Sequence, residues 1–536
     1  MSNISASTIK LIEKYQFWYY SLQAKENQST INVDNVTSKV AKFYEKIREI
    51  VDWREKHLMR RIAIERVLKR RFFLKSSQAH IAEDFVVELI RNGHFPNNKI
   101  PKNKIVEIQK IIDKYNYIID NAPRSHQSIT HGQLYIFLIS IAACEVEETL
   151  DPLFYLKEHF LVEYMETSMQ EKIKIGQKVL NSQIINQHEK EIQIYIAVQQ
   201  ALLKLDSPII SYYLLKRYYK NWLNPSQQEL TATAQNIYKT WQRIEQSIEH
   251  PLAGKFYKIC EQYDTPYLLL GDILSADPIK NGRKLIEPDF LKEMVKKVYK
   301  KRLSTLKSRI SRTAFYSTLS IFISNIFSLY ILEFPFAKYV MGEINVWAAL
   351  FDVLGPTFLM FLLMVTIRMP NKKNYQLVLA EVEKIVYENQ AEDFYEVELY
   401  PKKSFIFKFF TYLIYIISFC LCFGLIIWVL MQFNYPPLSY ALLIMFTSLI
   451  AFSGLKLRQR SKELSVMDQR EGLFNIIFDP FSLPMVQLGK WLSARWKKIN
   501  IVGVIFIFLI DTPFLIFIDF LEQWRYFVKE KKENIR

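Results

Sequence analysis

The sequence predicts an all-α protein in two parts: a large cytoplasmic helical region over residues 1–312, followed by a polytopic transmembrane helix bundle over residues 313–536. Two observations favour this division. The long apolar runs all lie beyond Arg312, whereas the residues before it form charged stretches with helical periodicity. The stretch MSNISASTIKLIEKYQFWYY also lacks the basic segment, apolar core and cleavage site of a signal peptide, so we expect the first part to stay in the cytoplasm.

Helical patterns follow one another through residues 1–312. VDWREKHLMRRIAIERVLKRRFF (51–73) is the most charged of them, but its cations are scattered around the predicted helix. A nucleic-acid groove needs a single basic face, so nucleic acid is a disfavoured partner in spite of the formal net charge of +16. Residues 134–144 form an apolar stretch about half as long as a membrane span, which indicates a buried helix of the soluble core.

Beyond Arg312, apolar runs recur that match the thickness of a bilayer, since a hydrocarbon core of about 30 Å needs about 20 residues of helix. Basic segments precede the first and third runs and follow the second and fourth, whereas the two opposite connections hold one Lys between them. Lys and Arg concentrate on the cytoplasmic side of membranes, so every basic flank is predicted to be cytoplasmic. The predicted spans are residues 314–332, 346–367, 409–431 and 438–455.

The segment between the second and third spans, NYQLVLAEVEKIVYENQAEDFYEVE (374–398), is amphipathic. Its apolar positions recur at helical spacing, which predicts a cytoplasmic helix. An amphipathic helix needs a surface against which to bury its apolar face. The amino-terminal region is the candidate surface.

Residues 474–496 are apolar and aromatic but are interrupted by Asp479, Pro480 and Pro484, which makes them unsuited to spanning. We expect a helix on the cytoplasmic membrane surface, because cations beside tryptophans are typical of contacts with anionic lipid. The candidate anionic-lipid contacts are Lys490, Trp491, Arg495, Trp496, Lys497 and Lys498.

The last apolar run, residues 501–520, is interrupted by Asp511, Thr512 and Pro513. Thr is a favoured helix N-cap and Pro a favoured first helical residue, so the triplet indicates that one helix ends and another begins. A re-entrant hairpin over residues 501–527 would keep the basic carboxy terminus in the cytoplasm; a fifth span and an interfacial helix are the alternatives. Asp519, Glu522 and Gln523 form a candidate polar stripe on the returning helix.

Polar residues inside the apolar runs are the candidate functional site. Asp352 precedes Gly355-Pro356 in the second run, Asp511 lies at the tip of the predicted hairpin, and Asn325 lies in the first run. Acidic residues at membrane depth often mark ion or proton pathways, and broken helices form the sites of many transporters. The alternative is structural, with Asp352 close to the external interface and Asp511 serving as a helix cap.

Catalytic and cofactor signatures are absent from the sequence. It contains no HExxH, no GxSxG, no paired CxxC and no Gly-rich phosphate loop, and it has only 13 glycines. We therefore predict neither a cofactor nor a metal site. The four cysteines have no spacing typical of a disulfide framework.

Several stretches resemble a family of multi-pass membrane proteins from bacteria with reduced genomes, a family with no assigned activity. The stretches are VDWREKHLMRRIAIERVLKRR, SYYLLKRYYKNW, HPLAGKFYKICEQYDTPYLLLGDIL, RTAFYSTLSIFISNIFSLYILEFPFA and DTPFLIFIDFLEQWRYFVKEKKE. The resemblance covers most of the chain and implies a bacterial inner-membrane protein with this two-part layout. It implies no chemistry.

These observations lead us to expect a non-enzymatic scaffold, which presents a large cytoplasmic region to a protein partner and contacts anionic lipid headgroups. The first alternative is an ion, proton or solute transporter or channel that uses Asp352 and Asp511. A weaker alternative is a lipid-modifying enzyme with its site near Asp479 and Glu522. Oligomeric state is not predicted.

Overall fold

A computed structural model describes most of the chain. The described residues are 4–23, 29–33, 56–73, 81–124, 130–181, 184–336, 338–339, 346–387, 394–398, 405–432, 437–466, 473–499, 520, 523–524 and 527–528. They form two compact units. Unit 1 comprises Met1–Val298, Val378–Leu399 and Phe514–Arg536, and unit 2 comprises Tyr299–Leu377 and Tyr400–Pro513.

The described structure is nearly all helical, which confirms the prediction that the protein belongs to the all-α class. Its strands are two segments of three residues each, β1 (Ile173–Ile175) and β2 (Tyr395–Val397), which pair in parallel within unit 1. The helices that begin in unit 1 are α1 (Ala6–Gln23), α2 (Lys56–Phe73), α3 (Ile81–Arg91), α4 (Lys104–Asn121), α5 (His131–Leu150), α6 (Pro152–Lys172), α7 (Gln177–Asn181), α8 (Gln187–Leu203), α9 (Ser207–Tyr218), α10 (Gln227–Ile248), α11 (Ala253–Gln262), α12 (Asp264–Ala276), α13 (Pro278–Lys284) and α14 (Pro288–Ser328).

Local sequence signals define several helix starts in unit 1. At three helix starts, the side chain of the cap residue accepts a hydrogen bond from the backbone N–H three residues later, and the Glu or Gln side chain at that later position accepts one from the backbone N–H of the cap residue. The three cap residues are Thr130, Asn186 and Ser226. Such capping boxes satisfy backbone donors that would otherwise lack partners at the helix start. Pro152 and Pro208 occupy first-turn positions of α6 and α9, where a missing N–H costs nothing.

Helix α5 lies in the core of unit 1. It packs against α2, α4 and α9, and its residues from Leu138 to Glu147 are buried without interruption. The predicted apolar stretch at 134–144 is therefore a buried core helix, as its short length indicated. Burial of a Leu or Ile side chain contributes about 1.5–3 kcal/mol each, so this helix is a main source of the stability of unit 1.

Ionic groups are buried beside α5. Glu145 accepts hydrogen bonds from Lys114 Nζ (2.5 Å), Tyr115 Oη (2.9 Å) and Trp222 Nε1 (3.0 Å), and Lys114 Nζ also donates to the Trp222 carbonyl (2.9 Å). Burial lowers the pKa of Lys114, and the adjacent Glu145 carboxylate opposes that shift. The network is structural, because both carboxylate oxygens of Glu145 have protein donors.

Residues 378–387 and 394–398, which belong to the segment between the predicted second and third spans, pack within unit 1. Ser5 N–H donates to the carbonyl of Val386 at 2.9 Å, and Tyr387 Oη donates to the carbonyl of Leu285 at 2.7 Å. The strand β2 adds its pairing with β1. Contacts between residues that are distant in sequence thus attach this segment to unit 1, which contains the amino-terminal region expected to bind it.

The helices of unit 2 are longer and more apolar. They are the continuation of α14 through the π-helical turn Leu329–Glu333 into α15 (Phe334–Phe336), α16 (Val346–Val365), the start of α17 (Lys372–Tyr387), α18 (Phe405–Gln432), α19 (Pro437–Ser461) and α20 (Leu473–Ile499). Among the described residues, three helical stretches are long and apolar enough to cross a membrane: Pro288–Phe336, Phe405–Gln432 and Leu438–Ser461. They contain the first, third and fourth predicted spans. The second coincides with α16, whose described apolar stretch Leu350–Val365 is shorter.

Helix α20 packs closely on α19 and also contacts α18. A Cβ on Gly489 would collide with the backbone carbonyl of Ser448 and with Phe452, so only glycine allows the two helices to approach this closely. On the other side, Tyr415 Oη donates to Gln487 Oε1 at 2.7 Å. The helix expected at the membrane surface, residues 474–496, therefore packs against two of the apolar helices along its described part.

Candidate functional site

The structure brings two of the three predicted site residues together in unit 2. Asn325 and Asp352 are 2% and 8% exposed, and Asn325 Nδ2 donates to the carbonyl of Val353 at 3.3 Å. The first and second apolar runs thus contact one another at their polar residues. Asp511 lies outside the described residues.

Glu333 is a third member of this site. It ends the π-helical turn Leu329–Glu333, is 8% exposed, and lies close enough to Asp352 and Ser439 for their side chains to interact. Ser439 is in the first turn of α19 and is 1% exposed. The site therefore collects side chains from α14 and its π-helical extension, from α16 and from α19; we call Asn325, Glu333, Asp352 and Ser439 the acidic cluster.

The backbone around the acidic cluster is irregular in two places. The π-helical turn widens the helix just before Glu333, and such turns are frequent at functional sites. Pro356 lies inside α16 and has no N–H, so the carbonyl four residues earlier, that of Asp352, has no helical donor. Both irregularities thus occur at residues of the acidic cluster, since the π-helical turn ends at Glu333 and the carbonyl without a helical donor belongs to Asp352.

Acceptors outnumber donors in the acidic cluster. Within the described part of the chain, both carboxylate oxygens of Asp352, Asn325 Oδ1 and Ser439 Oγ are buried without a hydrogen-bond partner of ordinary geometry. The described residues form no Lys or Arg ion pair with Glu333 or Asp352. A buried acceptor without a donor costs free energy, and two adjacent carboxylates repel one another. A proton or a small cation would relieve both costs.

Oxygen donors are the ligands that hard cations prefer, and the acidic cluster contains carboxylate, amide, hydroxyl and carbonyl oxygen. It contains only two carboxylates, and the described residues include no group of three or more His, Cys, Asp or Glu side chains that would hold a metal ion. The arrangement fits a proton or a weakly held monovalent cation better than a tightly bound transition metal.

The remaining predicted residues have different placements. Lys490, Trp491 and Arg495 are exposed on α20, and the Arg495 guanidinium lies 5.7 Å from the centre of the Trp491 ring. Gln523 is exposed. The side chains of Trp496, Lys497 and Lys498, together with Asp519 and Glu522, fall outside the described residues.

Glu333 and Ser439 were not among the predicted site residues. A signal for Glu333 is present in the sequence, because this acid ends the first apolar run and is followed by Phe-Pro-Phe, a pattern typical of a helix boundary. Ser439 carries no such signal, since a single Ser near the start of an apolar helix is common. Its role depends on which helices pack together, which no local pattern determines.

Comparison of the chain with models of known protein families, with curated proteins and with solved structures finds no match. The geometry of the acidic cluster is therefore the basis for a functional proposal.

Proposed function

We propose that this chain is a multi-pass membrane protein that binds a proton or a small monovalent cation at the acidic cluster, as one step in carrying that ion across the membrane. The observation that carries the proposal is the burial of Glu333 and Asp352 side by side, with neither Asp352 oxygen in a hydrogen bond of ordinary geometry to a described residue. Acidic side chains inside apolar helices are costly, and such residues commonly serve ion or proton pathways.

Membrane insertion is part of the proposal. Three long apolar helices support it, as does the concentration of Lys and Arg at the ends of the apolar runs. We infer a bacterial inner membrane, with both termini in the cytoplasm. In this orientation the acidic cluster lies towards the external side of the bilayer, because Glu333 and Ser439 are at the ends of their helices away from the basic flanks.

Proton or cation flux in proteoliposomes tests the proposal. An imposed membrane potential should drive acidification or Na⁺ uptake with the wild-type protein, and Asp352→Asn or Glu333→Gln should abolish it. Glu293→Gln is the matched control, because Glu293 is exposed and precedes the apolar part of α14. Flux that is absent from every form, or unchanged by both substitutions, would rule out transport at this site.

A second candidate function is partner binding by unit 1. Helix α1 exposes Ile9, Phe17 and Tyr20, whereas its opposite side is buried. Exposed aromatic side chains on one helix are a common feature of protein interfaces. The purified full chain should then retain a partner that Phe17→Ser/Tyr20→Ser loses, while a variant of the acidic cluster retains it. Equal recovery with and without the two aromatic side chains would count against this function.

A lipid-modifying activity is the least supported of the three. It was predicted near Asp479 and Glu522, and the side chains of both fall outside the described residues. Hydrolysis or transfer of a labelled phospholipid by the purified full chain is the measurement that would favour it, provided that Asp479→Asn removes the activity.

A further inference from the structure

Three basic segments that are far apart in sequence are linked in unit 2 through the residues that flank them. They are residues 300–312 of α14, residues 368–373, which lead into the first turn of α17, and residues 456–462, which end α19. Each adjoins an apolar helix at the end remote from the acidic cluster. The sequence of these segments indicates membrane orientation only, whereas the contacts between their flanking residues result from the fold.

Asn374 joins the three segments. Its Nδ2 donates to Tyr299 Oη (3.0 Å), directly before the α14 cations, and to the Leu464 carbonyl (2.7 Å), directly after the α19 cations. Its Oδ1 accepts from Val466 N–H at 3.0 Å. Asn374 is 1% exposed and uses both its donor and its acceptor groups, so it holds these segments in one arrangement.

The side chains of α14 divide into two faces over this stretch. Tyr299, Leu306 and Ile310 are buried on one face, whereas Lys300, Lys301, Lys307 and Arg312 are exposed. Arg368, just before α17, and Lys372 and Lys373 in its first turn are exposed. Arg458 in the last turn of α19 and Lys462 just after it are also exposed. We call these exposed side chains, taken together, the cationic patch.

Acidic residues are scarce within the three basic segments. Within the three segments and the adjoining residues up to Val466, Glu463 is the one acidic residue. Among the described residues, no ion pair involves Lys300, Lys301 or Lys307. Cations therefore outnumber carboxylates in these stretches, which makes the cationic patch suited to a partner that carries negative charge.

We propose that the cationic patch binds the headgroups of anionic phospholipids. Charge complementarity and position favour this partner, since the cations adjoin helices that carry the apolar surface for acyl chains. Clustered Lys and Arg beside a membrane segment are typical of sites for anionic headgroups. The inference rests on the membrane insertion proposed above and is independent of ion transport at the acidic cluster.

The test compares two variants of the full chain that carry equal charge. The patch variant is Lys300→Gln/Lys301→Gln/Lys307→Gln/Lys372→Gln/Lys373→Gln. The control variant replaces five exposed lysines of unit 1 by Gln: Lys10, Lys99, Lys110, Lys220 and Lys239. Because all ten side chains are exposed, neither set of substitutions removes core packing.

Each protein is reconstituted into bilayers with spin-labelled phosphatidylglycerol or spin-labelled phosphatidylcholine, and the fraction of motionally restricted lipid is measured by electron paramagnetic resonance. Wild type and control should restrict phosphatidylglycerol in preference to phosphatidylcholine. In the patch variant the ratio of restricted phosphatidylglycerol to restricted phosphatidylcholine should fall at least twofold. The same fall is expected for wild type at 0.5 M NaCl, because salt at this concentration screens charges that are more than a few ångströms apart. An unchanged ratio in the patch variant would overturn the proposal, and so would an equal fall in the control.

Discussion

Glu147 provides the clearest pH-dependent prediction for unit 1. This side chain is fully buried on α5 and lies 3.2 Å from Arg60 Nε, in an ion pair without hydrogen-bond geometry. Burial raises its pKa from 4.5 to about 8, and the attraction of Arg60 and the nearby Tyr155 hydroxyl oppose that shift only in part. Arg61 and Asp151 also act on it, with opposite signs.

The direction of the effect follows from proton linkage. The pKa of the folded state exceeds that of the unfolded state, so the protonated carboxyl stabilises the fold below pH 4.5 and this contribution is lost as the pH rises towards 8. Each pKa unit corresponds to about 1.4 kcal/mol, so the loss between pH 5 and pH 8 is about 4 kcal/mol.

Substitution of Glu147 by Gln keeps the shape of the side chain and removes the titration. The free energy of opening of α5 should fall by about 4 kcal/mol in wild type between pH 5 and pH 8, and this fall should be absent from Glu147→Gln. Hydrogen exchange of peptides from residues 131–150, corrected for the intrinsic pH dependence of exchange, measures this quantity. The exposed Glu83→Gln serves as control. Parallel pH profiles for Glu147→Gln and wild type would refute the reasoning.

Further substitutions test the packing. Lys114→Met should destabilise unit 1 by about 3–5 kcal/mol in chemical denaturation because it leaves Glu145 as a buried charge without its cation, and adding Glu145→Leu should restore part of the loss. Gly489→Ala should weaken the contact of α20 with Ser448 and lower the apparent melting temperature in detergent; an unchanged melting temperature would contradict the close approach. Asn374→Ala removes three hydrogen bonds and should cost about 3 kcal/mol by the same assay, whereas a cost near zero would mean that the three basic segments do not depend on it.

Features that depend on local pattern were predicted well from the sequence. The helical class, the apolar helices at residues 405–432 and 438–461, and the burial of the short apolar stretch in α5 all follow from periodicity and length. Asn325 and Asp352 were site candidates because a polar residue in an apolar run is conspicuous; the structure buries both, and their role in a site stays a prediction.

Features that depend on contacts between distant residues were not predicted. Ser439 joins the acidic cluster because α19 packs near the end of the first apolar helix, and Asn374 joins three basic segments because of where the chain after α19 returns. Both are small polar residues in unremarkable sequence, and their importance comes from burial. The predicted hairpin at Asp511, Thr512 and Pro513 lies outside the described residues and stays a prediction.

The central claim is that Glu333 and Asp352 form a buried acidic pair that holds a proton or a monovalent cation inside the apolar helices. Dicyclohexylcarbodiimide tests it most directly, because this apolar reagent reacts with protonated carboxyl groups within membranes. Peptide mass spectrometry of the treated full chain should find the adduct on Glu333 or Asp352, with a rate that falls when Na⁺ or Li⁺ is added. If neither residue is modified while carboxyl groups elsewhere in the chain are, the pair does not hold an exchangeable proton and the claim is wrong.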